Sequence, residues 1–285
     1  MTNFVIHPDT RPGHIHLIVA DLARALAFYQ QVLGLQLHRQ ADQTAYLGAG
    51  QADLLVLTER PGARRVEGTT GLYHFAILTP DRPALAQTLR RIIETRTPVQ
   101  GFSDHGVSEA IYLADPDGNG IEIYRDRPRE QWPFKNGRLQ MVTEPLDTKN
   151  LLAELGTQPE PWSGLPASTV LGHVHLHVAN IAQAEAFYSG VLGFELMGRY
   201  GPSASFLAAG GYHHHLGVNT WAGVGAPPLP ADAIGLRWYT LCLPTAAELN
   251  RVANRVRNAG LPLAEQPEGL LLRDPSQNGL ILTVA

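Results

Sequence analysis

The sequence predicts an α+β protein built from four copies of one module, in which a strand and a helix are followed by three strands. Two pairs of repeats support this prediction. The segment HIHLIVADLARALAFYQQVLGLQL (14–37) recurs almost position for position as HVHLHVANIAQAEAFYSGVLGFEL (173–196). A weaker pair joins GLYHFAILTPDRPALAQTLRRI (71–92) to GLRWYTLCLPTAAELNRVANRV (235–256). Repetition at this scale indicates that one supersecondary unit has been copied along the chain.

The order of elements within each copy follows from the residue pattern. Apolar and β-branched residues predict an opening strand, as at 14–19 and 173–178. Asp21 or Asn180 then provides an N-cap for a helix whose apolar residues recur at helical spacing and which ends at a Leu-Gly pair. The second and fourth copies end with LADPDGNGIEIY and LRDPSQNGLILT, in which a turn leads into a strand. The modules are therefore expected at roughly 12–60, 70–126, 170–222 and 234–285.

A single module leaves one apolar sheet face open, so the modules are expected to pair. We predict two domains, 12–127 and 170–285, whose curved mixed sheets enclose a cavity. The segment 128–169 is rich in proline and charge and too long for an ordinary loop, which indicates an inter-domain linker. Its LDTKNLLAELG portion predicts one short helix.

Composition excludes several classes of protein. Hydrophobic residues make up 44% and charged residues 17% of the 285, which is typical of a soluble globular protein. The net charge of -4 gives no electrostatic case for binding nucleic acid. One cysteine, Cys242, cannot form an internal disulfide, and no stretch has the apolar length of a secretory signal or a membrane span. A cytoplasmic protein without a membrane partner is expected.

Twelve histidines, several of them clustered, are the unusual feature of the composition. Three are consecutive in GGYHHHLGVNTW (210–221), which has the pattern of a short strand. On a strand His213 and His215 would point to one face and His214 to the other. Whether they serve a metal site, a catalytic base or a polar strand end depends on the segment that they face.

The repeats, with YHFAIL, SDHGVSEAIYLADPDGNGIEIY, GHVHLHV and YHHH, resemble the vicinal oxygen chelate superfamily. That superfamily includes glyoxalase I, fosfomycin-resistance proteins, bleomycin-binding proteins and extradiol ring-cleaving dioxygenases. The resemblance covers nearly the whole chain apart from the linker, and the layout is most similar to the two-domain bacterial catechol 2,3-dioxygenases. Because one fold supports lyases, oxygenases and metal-free binders, function has to be argued from individual positions.

The resemblance implies metal ligands on the first strand of one module and on the last strand of another. The second module has His74 and Glu122 at these places. The first and third modules offer His14 and His173 at the start of their first strands. Two histidines and one carboxylate would hold Fe(II) on one face and leave other positions open. The third ligand is then either His14 or His173.

The resemblance also implies which module completes the site. In similar extradiol dioxygenases, the module that donates the first histidine carries a catalytic histidine in a His-His run, and His214 aligns best with it. This favours His173 as the third ligand. The partner module carries a tyrosine ten residues before the glutamate, which corresponds here to Tyr112, and His105 precedes it in SDH. The second and third modules would then pack together, within one chain or across a dimer.

The remaining aromatic positions are expected to be supporting residues. His175 and His177 share a strand face with His173 and would line the cavity or support the ligands. His14 and His16 are expected to be structural or surface residues, with His14 kept as the alternative third ligand. The two Phe-Tyr pairs, 28–29 and 187–188, are expected to be helix core.

The function that the resemblance implies is Fe(II)-dependent extradiol cleavage of a small aromatic diol by O2, with Mn(II) able to occupy the same ligands. Insertion of both oxygen atoms would give a yellow semialdehyde, and a homodimer is the favoured assembly. Two alternatives stay open: a glyoxalase-like isomerase or lyase, generally with four protein ligands, and a non-catalytic protein that binds a small aromatic compound. The fourth module has Trp238 and Ile281 at its two ligand places, which illustrates such a loss of ligands.

Overall fold

The four predicted modules are all present in the computed structural model, which describes residues 4–157 and 160–285. Each module is a strand, a helix and three strands, as predicted. The first module comprises β1 (Arg11–Val19), α1 (Leu22–Gln31), β2 (Gln36–Ala41), β3 (Thr44–Gly48) and β4 (Leu55–Glu59). The second comprises β5 (Gly71–Leu78), α2 (Arg82–Glu94), β6 (Val99–Asp104), β7 (Ser108–Ala114) and β8 (Gly120–Asp126).

The second pair of modules repeats this order, with one change in the helix of the third. There α4 (Ile181–Glu185) continues as a π-helical segment, Ala186–Val191. The other elements are β11 (Val170–His177), β12 (Glu195–Tyr200), β13 (Ala204–Ala208), β14 (Leu216–Asn219), β15 (Gly235–Leu243), α5 (Ala246–Asn258), β16 (Ala264–Gln266), β17 (Gly269–Arg273) and β18 (Gly279–Val284).

The linker is folded along much of its length. It contains a 3₁₀ turn (Arg129–Gln131), the hairpin of β9 (Phe134–Lys135) with β10 (Arg138–Leu139), and α3 (Thr148–Ala153). The last of these confirms the predicted short helix. Arg82 of α2 donates hydrogen bonds to Asn150, at 2.8 Å, and to Glu154, so the linker packs against the second module.

A short polar side chain begins the helix of every module. It accepts a hydrogen bond from the backbone N–H three residues later, which satisfies one of the N–H groups that have no partner within the helix. The four acceptor–donor pairs are Asp21–Arg24, Asp81–Ala84, Asn180–Gln183 and Thr245–Glu248, at 2.8–3.2 Å.

Among the described residues no helix combines the length and the apolar character that crossing a bilayer requires.

Two eight-stranded sheets contain sixteen of the strands, and each sheet draws on two modules. One has the order β16-β17-β18-β15-β1-β4-β3-β2, and the other has the order β12-β13-β14-β11-β5-β8-β7-β6. The second and third modules therefore share a sheet. This agrees with the expectation, implied by the resemblance, that these two modules pack together. Within the modules the first and last strands are parallel, as in the pairs β5/β8, β11/β14 and β15/β18, and the outer strands are antiparallel.

A β-bulge recurs at the same place in three of the modules. The register shifts between Leu37 and Arg39 in β2, between Val99 and Gly101 in β6, and between Leu196 and Gly198 in β12. An extra residue in one strand bends that strand and increases its twist. The bulges are therefore expected to bend β2, β6 and β12. The mixed α+β class with two curled sheets confirms the predicted fold.

Two compact units divide the chain. One comprises the residues up to Leu17 together with Arg64–Tyr73 and Gly172–Ala285, and the other comprises Ile18–Ala63 and His74–Leu171. The predicted domains, 12–127 and 170–285 with the linker 128–169, stay a prediction, as does an enclosed cavity.

Each unit contains the same buried bond between a helix and a turn. The Tyr29 hydroxyl donates to Asp115 at 2.8 Å in one unit, and the Tyr188 hydroxyl donates to Asp274 at 3.0 Å in the other. Burial raises the pKa of both tyrosines well above the usual value, and the adjacent carboxylates raise it further, so the phenols keep their protons. Both tyrosines are fully buried, so the prediction that they are helix core is right but incomplete.

The aspartates organise the DPDGNG and DPSQNG turns. Asp115 accepts the backbone N–H groups of Asp117 and Asn119 and the side-chain amide of Asn119. Asp274 does the same with the corresponding residues of the fourth module. The tyrosine therefore ties the helix of one module to the turn that precedes the last strand of the next.

We expect Tyr29→Phe and Tyr188→Phe each to lower the free energy of unfolding by about 1–3 kcal/mol, because each removes a donor to a buried carboxylate. Urea denaturation followed by circular dichroism would measure the change. Tyr200→Phe is the matched control, since Tyr200 is 65% exposed. Its effect should stay within about 0.5 kcal/mol. Equal effects of all three substitutions would contradict the assignment.

Candidate metal centre

His74 and Glu122 form a buried pair on the strands β5 and β8. These strands are parallel neighbours in which His74 lies opposite Gly120, and Ala76 lies opposite Glu122. Residues two apart on a strand point to the same face, so both side chains emerge on one side of the sheet. Nε2 of His74 lies 3.1 Å from Oε2 of Glu122, and both residues are buried. A carboxylate in the apolar run GIEIY is costly unless it meets such a partner.

Tyr112 and His105 extend this pair along the same sheet. Tyr112 lies on β7 directly opposite Glu122, and its ring centroid is 5.7 Å from that of His74. His105 follows β6 in the turn of the β6–β7 hairpin, and its Nε2 lies 2.8 Å from the Tyr112 hydroxyl. The predicted residues of the second module are therefore brought together.

A network of ion pairs holds that hairpin. Glu109 on β7 is 3% exposed and accepts hydrogen bonds from Arg82 at 2.9 Å and from Arg125 at 2.7 Å. Burial acts to raise the pKa of Glu109, but the bonds from these two guanidinium groups hold it below its usual value. Arg127 bonds to Asp104, the residue before His105, at 2.5 Å. The turn that carries His105 is therefore held by arginine side chains on β8 and directly after it.

The histidines of the third module form a second cluster. His173 on β11 is buried, and its ring centroid lies 4.1 Å from that of His214. Nδ1 of His214 lies 2.8 Å from Nδ1 of His213, which is fully buried. Two imidazole nitrogens at this distance share one proton, so one ring donates and the other accepts. The Phe206 ring, 5.1 Å away, packs against His214.

The expectation that His213, His214 and His215 lie in a strand is wrong. They lie in a bend before β14, which begins at Leu216. Strand parity therefore does not separate their faces. His215 is held by structural contacts: Ala209 donates its N–H to Nδ1 of His215 at 3.2 Å, and the Tyr212 ring stacks on the imidazole.

His175 and His177 are joined by one buried amide. The Asn219 side chain has its Nδ2 at 3.0 Å from Nε2 of His175 and its Oδ1 at 2.7 Å from Nδ1 of His177. Since an amide nitrogen only donates and its oxygen only accepts, Nε2 of His175 is deprotonated and Nδ1 of His177 is protonated. The Tyr73 ring packs against both histidines, and the Trp221 ring packs against His175.

Three of these residues have the spacing of metal ligands. His74, Glu122 and His173 are all buried, and each offers one ligand atom within 4.8 Å of the others. Within the described residues, His14 does not belong to this group of possible metal ligands. Two imidazole nitrogens and one carboxylate oxygen suit a divalent first-row transition metal, and three ligands leave coordination positions for other molecules. The donor set therefore fits a catalytic metal ion.

The fourth module has the same register without the chemistry. Thr240 lies opposite Ile281 on β15 and β18, as Ala76 lies opposite Glu122 on β5 and β8. Trp238 takes the place of His74 and packs against the ring of His16 at 4.4 Å. Burial, with the nearby Arg237, lowers the pKa of His16 to about 3, so this imidazole is neutral and structural as expected.

Several residues of these clusters were not identified from the sequence. Tyr73, Asn219 and Trp221 lie within the quoted segments YHFAIL and GGYHHHLGVNTW, but only their contacts distinguish them from the neighbouring residues. The structure explains why residue 217 is a glycine: a Cβ at this position would lie 2.7 Å from the ring of His175. The π-helical end of α4 also went unpredicted.

Comparisons with known proteins are consistent with this geometry. Residues 11–123 and 170–275 match the family described as glyoxalase/bleomycin resistance protein/dioxygenase superfamily. A catechol-2,3-dioxygenase of Bacillus subtilis is 47% identical over 284 residues, which cover 98% of this chain and 99% of the relative. A lactoylglutathione lyase of Arabidopsis thaliana is 31% identical over 134 residues, covering 42% of this chain and 46% of the relative.

Among solved structures, glyoxalase I from Zea mays matches 97% of this chain and 92% of its own length, with a TM-score of 0.59. At 18% identity this likeness concerns the fold alone. The family match covers most of the chain, and the relative from Bacillus subtilis spans nearly all of it. The chain therefore belongs to the glyoxalase/bleomycin resistance protein/dioxygenase superfamily.

Proposed function

We propose that the protein is an extradiol ring-cleaving dioxygenase that inserts both atoms of O2 into a catechol. The observation that carries the proposal is the buried group of His74, Glu122 and His173, with ligand atoms within 4.8 Å of one another. It is supported by 47% identity to a catechol-2,3-dioxygenase over nearly the full length of both chains.

The proposed cofactor is Fe(II), held by His74, Glu122 and His173. When bound, Fe(II) lowers the pKa of the catechol hydroxyls and brings the diol and O2 together. Mn(II) accepts the same donors, so the identity of the ion is part of the proposal. The chain contributes a buried setting, in which one carboxylate and two imidazole side chains offer donor atoms to a divalent cation.

His214 is the proposed acid/base. It lies beside the ligand His173 and is only partly buried, so its ring can reach a bound diol. Its contact with Nδ1 of His213 directs its other nitrogen, Nε2, away from that residue. An imidazole in this position can take a hydroxyl proton and return it later in the reaction.

Tyr112 is the proposed hydrogen-bonding residue for a substrate oxygen. It lies on the face of the sheet that carries the His74–Glu122 pair, and His105 holds its hydroxyl at 2.8 Å. Such an orienting bond reduces the freedom of the phenol before the substrate arrives.

A glyoxalase-like isomerase or lyase is the second candidate, favoured by the partial match to lactoylglutathione lyases. That chemistry generally uses four protein ligands, whereas the group described here has three. It would proceed without O2, which separates the two candidates by experiment.

The cytoplasmic location and the homodimer that the sequence favours stay predictions. Sedimentation of the purified chain would determine the assembly.

We expect the iron-loaded protein to convert catechol under air into a product with the visible absorbance of a ring-opened semialdehyde. Stoichiometric O2 uptake should accompany the colour, because both oxygen atoms enter the product. Metal-free protein is the control. No colour and no O2 uptake with a panel of catechols would count against the proposal, and turnover of a glyoxalase substrate in the absence of O2 would favour the lyase.

We expect His173→Ala to lose bound iron, because it removes one of three ligands, whereas His14→Ala should bind iron as the parent does. Metal analysis after reconstitution and desalting measures this directly. The two substitutions are matched, since both remove a histidine from the first strand of a module. Loss of iron in His14→Ala alone would show that the wrong histidine has been chosen.

We expect His214→Asn to reduce catechol turnover about 10²–10⁴-fold, the range typical of a lost acid/base, with iron content unchanged. Steady-state kinetics together with metal analysis would test this. His7→Asn is the control, because the His7 ring accepts a hydrogen bond from the nearby Asp9 N–H and takes no part in the cluster. Equal rates in both variants would exclude His214 as the acid/base.

A further inference from the structure

A short stretch of the linker pairs with the hairpin that carries His105. The backbone groups of Asp104 and Glu144 exchange two hydrogen bonds, at 2.8 and 2.9 Å. The Val142 N–H donates to the carbonyl of His105 at 3.1 Å. Residues 142–144 therefore form a short antiparallel ladder with residues 104–105.

The same stretch determines the tautomer of His105. Nδ1 of His105 lies 2.7 Å from the carbonyl oxygen of Val142. A carbonyl oxygen only accepts, so Nδ1 carries the proton. In a neutral imidazole Nε2 is then the acceptor, and the partner of Nε2 at 2.8 Å is the Tyr112 hydroxyl. The phenol therefore donates its single proton to His105.

This direction limits what the Tyr112 oxygen can do elsewhere. A hydroxyl has one proton and two lone pairs, so an oxygen that donates to His105 can only accept from any other group. Toward a diol bound at His74 and Glu122, Tyr112 is then an acceptor of a hydroxyl proton and not a donor.

We propose that residues 142–144 of the linker are part of the active site, where the Val142 carbonyl fixes the tautomer of His105 so that Tyr112 accepts a hydrogen bond from the substrate. This rests on the proposed function. It makes His105 a positioning residue that acts through Tyr112. The sequence-based expectation grouped His105 with the catalytic residues.

Close packing between the linker and the hairpin supports this assignment independently. Gly106, the residue after His105, has a φ of +73°, and a Cβ at this position would lie 3.2 Å from Pro133 and 3.4 Å from Val142. The Trp132 indole N–H donates to the carbonyl of Arg127 at 2.8 Å. The linker is therefore seated against this turn on both sides of the β9–β10 hairpin.

The tautomer can be observed directly by NMR. In the metal-free full chain labelled with ¹⁵N-histidine, we expect the uncharged ring of His105 to carry its proton on Nδ1 and none on Nε2. The signals are assigned by their loss in His105→Phe. A protonated Nε2 with a deprotonated Nδ1 would overturn the proposal.

Val142→Pro and Val142→Ala form the matched pair of variants. Proline removes the N–H that pairs with the His105 carbonyl, whereas alanine keeps both backbone groups and changes only a side chain that is 40% exposed. We expect Val142→Pro to show mixed tautomers at His105 and about a tenfold loss of turnover, the size of a lost hydrogen bond. Val142→Ala should match the parent in both measurements.

Two controls distinguish an effect on the His105 tautomer from a loss of metal and from an effect that does not act through His105. Iron content should be the same in all variants, because none of the three ligands is changed. His105→Phe and the double variant with Val142→Pro should have equal turnover, because both substitutions act through one bond. Parent-like tautomer and turnover in Val142→Pro would contradict the role of the linker.

If the parent does not cleave catechols, the proposed function fails and the assignment toward the substrate fails with it. The NMR measurement still decides the tautomer of His105, because it requires neither metal nor substrate. If instead the parent cleaves catechol and Val142→Pro does so equally well, the proposed function stands and this inference fails.

Discussion

A carboxylate buried in an apolar strand is the constraint on which the rest of the site depends. Glu122 is 3% exposed and lies between Ile121 and Ile123, so it is costly to desolvate unless cationic or donor groups meet it. His74, on the neighbouring parallel strand, supplies one such group at 3.1 Å. The anchored β6–β7 hairpin places Tyr112 and His105 beside this pair.

Much of this arrangement could be predicted because the repeats make the pattern visible twice. Four modules and their capped helices follow from local periodicity and from internal comparison, whereas the packing of the second module with the third was expected only from the resemblance. His74, Glu122 and His173 were also predicted as ligands from the sequence, because the resemblance places ligands on particular strands. Their proximity agrees with that choice.

What could not be predicted depends on contacts between distant segments. His105 and Val142 are 37 residues apart, and Tyr29 and Asp115 are 86 apart. Neither bond has a local signature, since a phenol in a helix and a carbonyl in a linker occur in every protein. The three consecutive histidines were misread for a related reason: residues 213–215 have the composition of a strand end, but the chain bends there.

The second and fourth modules have the same strand register, yet a histidine and a glutamate in one correspond to Trp238 and Ile281 in the other. The tyrosine–aspartate bond is present in both units. The groups that assemble a module are thus separate from those that could perform chemistry on it. Duplicated copies can consequently gain or lose reactive side chains over evolution without endangering the scaffold, which is consistent with a single ancestral unit giving rise to oxygenases, lyases and inert binders.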